Sequence, residues 1–157
     1  MMRKTFIILL LAGVLASCSA MKKLVSPSTW LPQNSLKRID LIAESDANST
    51  SATRINIVFL RSEEAARNLP NSSREWFRNR SIYVGSLGNN AMILDLQLPP
   101  AASTNDVAMP EGARKAKTVV LFADYLDAGG QTPMQLGEYR EVTVVLARDT
   151  IRLQESK

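Results

Sequence analysis

"RIDLIAESDANSTSATRINIVFLR", Arg38 to Arg61, is the stretch that decides the fold. Two apolar runs of period two flank a linker that is entirely small or polar apart from its alanines. In the first run Ile39, Leu41 and Ala43 share one face. In the second, Ile55, Ile57 and Phe59 lie together, with Val58 and Leu60 on the opposite side. Alternation with β-branched residues is the mark of a strand, because successive side chains of extended backbone point to opposite faces.

The same signal recurs along the chain. "MILDLQL", Met92 to Leu98, reads as a third strand. "TVVLFADYL", Thr118 to Leu126, starts apolar on both faces, as in a sandwich core. "YREVTVVLARDTIRLQ" reads as a closing hairpin, Glu141–Ala147 and Thr150–Gln154 about a turn at Arg148–Asp149. "SIYVGS", Ser81 to Ser86, is a weaker strand signal. Two helical signals interrupt the series. Ser62 is placed to cap a helix with Glu63 and Glu64 in its first turn, and Ser72 or Ser73 to cap another before Trp76 and Phe77. Pro70 separates the two. The pattern predicts an all-β domain over residues 36–157, a β-sandwich of about seven strands with a short helical insert.

Two connections stand out. Ser45–Thr53 joins the first two strands and, from its residues alone, reads as a plain solvent-exposed turn. Pro99–Ala116 has three prolines and is long for a compact domain, which predicts a mobile or functional loop. Gly129–Gly130 reads as a simple turn.

Upstream, Arg3 and Lys4 precede an apolar run, Phe6 to Leu15, and then small residues and Cys18. This reads as a secretory signal peptide; the run is too short to span a bilayer. "LASC", Leu15 to Cys18, matches the bacterial lipobox at all its positions. The likeness to lipoprotein signal peptides implies a signal peptide over residues 1–17, cleavage before Cys18, a diacylglycerol on its sulfur and an acyl chain on the new N-terminus. Several acyl chains on one residue make escape from the membrane negligible, where one would bind only marginally. Ser19, in place of the Asp that signals inner-membrane retention, points to the outer membrane. Residues 18–35 form a lipidated tether interrupted by Pro27 and Pro32, in which Trp30 and Leu31 are expected to dock on the domain, with a place in the membrane interface as the alternative. Its stretch from Ser19 to Ser35 spans at most about 56 Å extended, or roughly 23 Å as a flexible coil.

Composition narrows the chemistry. The chain has no His, and Cys18 is its only Cys. That excludes Ser–His and Cys–His pairs, an intramolecular disulfide framework and any multi-cysteine metal site. The net charge of +4 falls to +2 once Arg3 and Lys4 leave with the leader, too little to argue for nucleic acid. Asp124 and Asp127, at a strand end and in a turn, read as solvated carboxylates. "GSLG", Gly85 to Gly88, lacks the pattern of a nucleophile elbow. "ARKAK", Ala113 to Lys117, reads as a solvated basic loop, with anionic lipid or an acidic partner as the alternative. No catalytic residue, cofactor, metal or small-molecule substrate is indicated.

With these features in place, the chain resembles the outer-membrane lipoprotein subunit of the bacterial type VI secretion system, over roughly Leu36 to Gln154. The likeness rests on "IDLIAESDANSTSATRINIVFLRSEEAARNL" followed by "REWF", on "KTVVLFADYLD", on the closing hairpin and on the lipobox. It implies a transthyretin-like β-sandwich hung from the outer membrane into the periplasm, without catalysis. It implies that the loop between the first two strands docks the periplasmic domain of a large inner-membrane subunit. Carried over, the docking residues are Asp46, Ala47, Asn48, Ser49 and Thr50. The chain departs from the family in having Ser49 where a Pro usually follows the Asn, and in the length of Pro99–Ala116. The rival readings are a pilotin or assembly-factor lipoprotein of another secretion apparatus, and an enzyme or inhibitor on a lipid anchor.

Overall fold

A computed structural model describes residues 34–155. The leader, Cys18 and the tether residues Trp30 and Leu31 lie outside the described residues. Two four-stranded sheets face each other. One contains β1 (Arg38–Ala43), β4 (Ser103–Thr104), β7 (Glu141–Leu146) and β8 (Ile151–Glu155) in the order β4-β1-β7-β8. The other contains β2 (Thr53–Leu60), β3 (Ala91–Leu98), β5 (Thr118–Ala123) and β6 (Met134–Gln135) in the order β3-β2-β5-β6. Both interior strands of the second sheet pair antiparallel, Ile57 opposite Leu94 on one side and Leu121 on the other. β1 runs parallel to β7, Leu41 beside Val144, a pairing that joins elements from the two ends of the domain.

The alternation places its residues as expected. Ile39, Leu41 and Ala43 from β1 meet Ile55, Ile57 and Phe59 from β2 in the core between the sheets, with Val119, Leu121, Val142 and Val144. Val58 and Leu60 turn the other way and join Val120 and Phe122 in a second cluster. That cluster is roofed by α1 (Glu63–Arg67), α2 (Ser73–Arg78) and α3 (Arg80–Leu87). Burial on both faces explains why β2 and β5 are apolar nearly throughout.

The helical layer is pinned by one side chain. Trp76 is fully buried and stacks on Phe122 with ring centroids 4.6 Å apart. Its indole N–H donates to Asn56 Oδ1 at 2.9 Å, and Arg80 Nε donates to the same oxygen at 2.9 Å. Asn56 donates in turn to Asp95 at 2.7 Å, and Arg80 pairs with Asp95 at 2.7 Å. A buried amide with its polar ends used is what lets a polar residue sit in the middle of β2.

Several expectations are corrected. Ser81–Ser86 is not a strand but most of α3. Its three apolar residues fit either period, and packing decides: Tyr83 stacks on Trp76 and donates to Glu75 at 2.7 Å, while Leu87 one turn later is buried. Gly88, with φ of +49°, ends the helix. Ser62 does cap α1, accepting from the Ala65 N–H at 3.1 Å. Of the two cap candidates for α2, Ser72 holds the N-cap position without a side-chain capping bond, while Ser73 lies inside the helix and its Oγ accepts from the Ala123 N–H of β5 at 3.2 Å. The Pro99–Ala116 connection is anchored to the sandwich: Val107 is buried and donates to Ile39 O at 2.9 Å, and β4 adds to the sheet edge. Gly129–Gly130 lies in a 3₁₀ turn, Ala128–Gln131, pressed against its neighbours. A Cβ on Gly130 would stand 2.1 Å from the ring of Tyr125, so no other residue fits.

Candidate functional site

The strand directions give the domain two ends. The chain enters at Asn34, beside Ala113 and Ala116, at the end where β1 and β5 begin. β1 runs from there to Ala43, roughly 20 Å away. The connection into β2 therefore lies at the opposite, distal end, with the turn after β5 and the β7–β8 turn.

That connection holds a single helical turn, Ala47–Thr50, whose last three residues are left-handed. Asn48, Ser49 and Thr50 have φ of +48°, +50° and +66°. L-residues avoid this region because Cβ approaches the carbonyl, at about 1–2 kcal/mol each. Asn tolerates it best; a β-branched Thr there is an outlier. Such a conformation persists only where its surroundings over-determine it.

The surroundings do so here. The Asn48 N–H donates to Ala147 O at 3.1 Å and the Ser49 N–H to Arg148 O at 3.1 Å, tying the turn to the β7–β8 connection. The buried Asn48 side chain reaches the other sheet, donating to Asp124 O at 3.1 Å and accepting from the Leu126 N–H at 2.8 Å. Asn48 thus bridges the two sheets at their distal end. Both ends of its amide are engaged, and the peptide geometry follows the tertiary contacts instead of local preference.

The neighbouring turns are held equally firmly. Tyr125 is buried, and its hydroxyl donates to Ala147 O at 2.9 Å, with Thr150 O at 3.2 Å beside it. Burial first, then the charges of Glu44 and Asp149, push its phenol above the usual range. Gln131 donates to Tyr125 O. Asp124, read from sequence as solvated, takes Arg54 Nε at 3.1 Å, and Arg54 lies 5.0 Å over the Phe77 ring. Asp127 accepts from the Gly129 N–H at 2.8 Å and so caps the 3₁₀ turn.

The residues expected to dock divide by orientation. Ala47 and Asn48 are buried and hold the turn; Asp46 is half-exposed; Ser49 and Thr50 are exposed at its crest. Beside them stand Leu126, 65% exposed, and the exposed Arg148 and Asp149. Leu126 was not singled out from sequence. The strand read over Thr118–Leu126 ends at Ala123, so Leu126 stands three positions beyond β5, in "DYLDA", where a turn residue would ordinarily be polar.

A groove of about 550 Å³ beside α2 and α3, lined by Arg54, Asn56, Phe77, Arg80 and Asp95, is the other notable concavity. Its cations are already matched, Arg54 by Asp124 and Arg80 by Asp95. Among the described residues no cluster of acidic or thiol groups is arranged to hold a metal. No described helix is long and apolar enough to cross a membrane.

No protein-family profile and no curated protein sequence matches the chain. Solved structures do match. The type VI secretion lipoprotein TssJ1 from Pseudomonas aeruginosa superposes with a TM-score of 0.58 at 14% identity, over 76% of this chain and 95% of that one. The fold is that of type VI secretion lipoproteins. Lip from Serratia marcescens, described as a membrane-bound component of the type VI secretion system, gives 0.51 at 14% identity, over 76% and 96%. A chain from the structure of the TssM C-terminal domain from EAEC gives 0.55 at 18%, over 76% and 97%. The likeness covers nearly the whole of each of those chains, so the sandwich expected from the alternation is the fold found.

Proposed function

We propose that this chain is a structural lipoprotein of a type VI secretion membrane complex, anchored by lipid on Cys18 to the outer membrane with its domain in the periplasm. There it docks the periplasmic domain of a large inner-membrane subunit and so helps build the envelope-spanning assembly. The reading assigns no catalysis.

The observation that carries it is the strained, doubly clamped turn at the distal end of a sandwich shared with secretion lipoproteins. An ordinary connection between two strands has no need of three left-handed residues in a row. Holding Ser49 and Thr50 outward in a fixed shape lowers the ordering cost of a contact, which is how pre-organised surfaces gain affinity. Leu126 supplies an apolar contact next to them, and rigid polar loops around an apolar centre suit a protein partner. The polarity of the domain fits as well. A tether reaching the domain at Asn34 leaves the distal turn facing away from the membrane, toward a subunit rising from the opposite bilayer.

The test has two arms. Alkyne-palmitate labelling in cells reads the anchor: label on the wild type that is lost in Cys18→Ser supports it. Co-purification with the chain's own TssM-type subunit reads the docking: replacing residues 47–51 by Gly and Ser abolishes capture if the turn is the contact. Unlabelled wild type overturns the anchor, and undiminished capture overturns the turn.

A further inference from the structure

The basic cluster Arg114, Lys115 and Lys117 finds no use in the docking reading, and its place in the fold is specific. Asn34, the first described residue, is buried and donates to Ala113 O at 3.0 Å and Ala116 O at 2.8 Å. The segment 113–117 therefore wraps the point where the chain enters the domain. Ala113 and Ala116 face inward and are buried, which leaves Arg114, Lys115 and Lys117 exposed around that point. Two further exposed cations, Lys37 and Arg140, lie at the same end, joined by the Lys37 N–H donating to Arg140 O at 2.7 Å.

None of these five cations takes part in an ion pair among the described residues; the pairs found use Arg38, Arg54, Arg80 and Arg152. The acids at this end are Glu111 and Glu138 in the adjoining sequence, Glu63 and Glu64 in α1, Asp106 beside Asp40, and Glu141 and Glu155 on β7 and β8, of which Glu141 pairs with Arg38. At the distal end Glu44, Asp46, Asp124, Asp127 and Asp149 stand with Arg54, Arg74, Arg148 and Arg152, and two of those arginines are paired, with Asp124 and Glu44. What sets the entry end apart is that these five exposed cations lie outside every ion pair found and surround the point where the tether arrives.

We propose that this basic collar binds the anionic phospholipid headgroups of the bilayer to which the chain is tethered. The inference rests on the lipid-anchor reading for its setting. Unpaired basic side chains beside a tether are drawn to a negatively charged surface within a Debye length. The domain is then held upright against the leaflet instead of swinging at the full reach of its tether, and the docking turn points away from the membrane. A short tether raises the effective concentration of the collar at the surface, so weak intrinsic attraction suffices.

The test uses the lipid-free mature chain beginning at Ser19, so that it does not depend on acylation. Co-sedimentation is measured with vesicles of pure phosphatidylcholine and of phosphatidylcholine mixed with phosphatidylglycerol. Binding is expected to the anionic vesicles only, to weaken in high salt, and to fall about tenfold to a hundredfold in Arg114→Gln/Lys115→Gln/Lys117→Gln. Near-ultraviolet circular dichroism checks that the triple variant keeps its fold, and Arg54→Gln, a cation paired with Asp124 at the distal end, serves as the control that leaves binding unchanged. Equal binding to both vesicle types, no binding to either, or a triple variant that binds like wild type overturns the proposal. The last two results point to a solvated loop or an acidic protein partner, and leave the palmitate-labelling outcome for Cys18 untouched.

Discussion

Replacing Asn48 tests whether the distal turn is held by tertiary contacts. In Asn48→Ala the protein loses the bond to Asp124 O and the bond from the Leu126 N–H. Each costs about 1 kcal/mol. Ala must also adopt φ near +48°, which Asn tolerates better, adding about 1 kcal/mol. The total is about 3 kcal/mol, a large share of the stability of a domain this size. Asn48→Gly loses the same two bonds but accepts the backbone freely, so it is expected to cost about 1 kcal/mol less than Ala. Urea unfolding of the lipid-free mature chain reads both: the midpoint falls in each variant at constant slope, further for Ala. An Asn48→Ala midpoint equal to wild type, or a Gly variant as unstable as the Ala variant, would refute the reasoning.

Three further outcomes follow. Thr50→Gly removes a β-branched residue at φ of +66°, so the midpoint should rise by the equivalent of about 0.5–1 kcal/mol while capture of the partner weakens, the exchange expected where strain serves binding. Trp76→Phe keeps the stack on Phe122 but loses the indole bond to Asn56; it should cost about 1–2 kcal/mol in urea unfolding and leave docking intact, because Trp76 itself is fully buried and contributes nothing to the exposed surface. Tyr125 has a raised phenol in the folded state, so the unfolded chain ionises first. Its contribution is fully present below the ordinary tyrosine value of 10.0 and declines as pH rises above it, a fall in stability that alkaline unfolding should register and Tyr125→Phe should blunt.

Much of the sandwich was readable because alternation and burial coincide. Ile55, Ile57 and Phe59 declare one face of β2 and Val58 and Leu60 the other, and the closing hairpin carries its own turn. The parallel pairing of β1 with β7 was not readable, since no local pattern ties residue 41 to residue 144. α3 was missed because Ile82, Tyr83 and Val84 favour strands intrinsically, and only the stack of Tyr83 on Trp76 reverses that preference. At the site, the small polar composition of 45–53 marked a turn, but composition is silent on handedness. The left-handed geometry comes from contacts with Asp124, Leu126, Ala147 and Arg148, all distant in sequence. For the same reason Asn48 and Ala47 looked like surface residues, although they are the buried supports of Ser49 and Thr50. Leu126 escaped notice because it reads as the last residue of the strand that starts at Thr118, whereas β5 ends at Ala123 and leaves it exposed in the turn.

The central claim is that the distal turn grips a partner while the opposite end faces the bilayer. A photo-crosslinking residue placed at Thr50, and separately at Lys117, in cells expressing the whole secretion apparatus tests both halves at once. The account predicts a covalent adduct with the inner-membrane subunit from position 50 and none from position 117. Adducts from position 117 alone, or from neither, would contradict it.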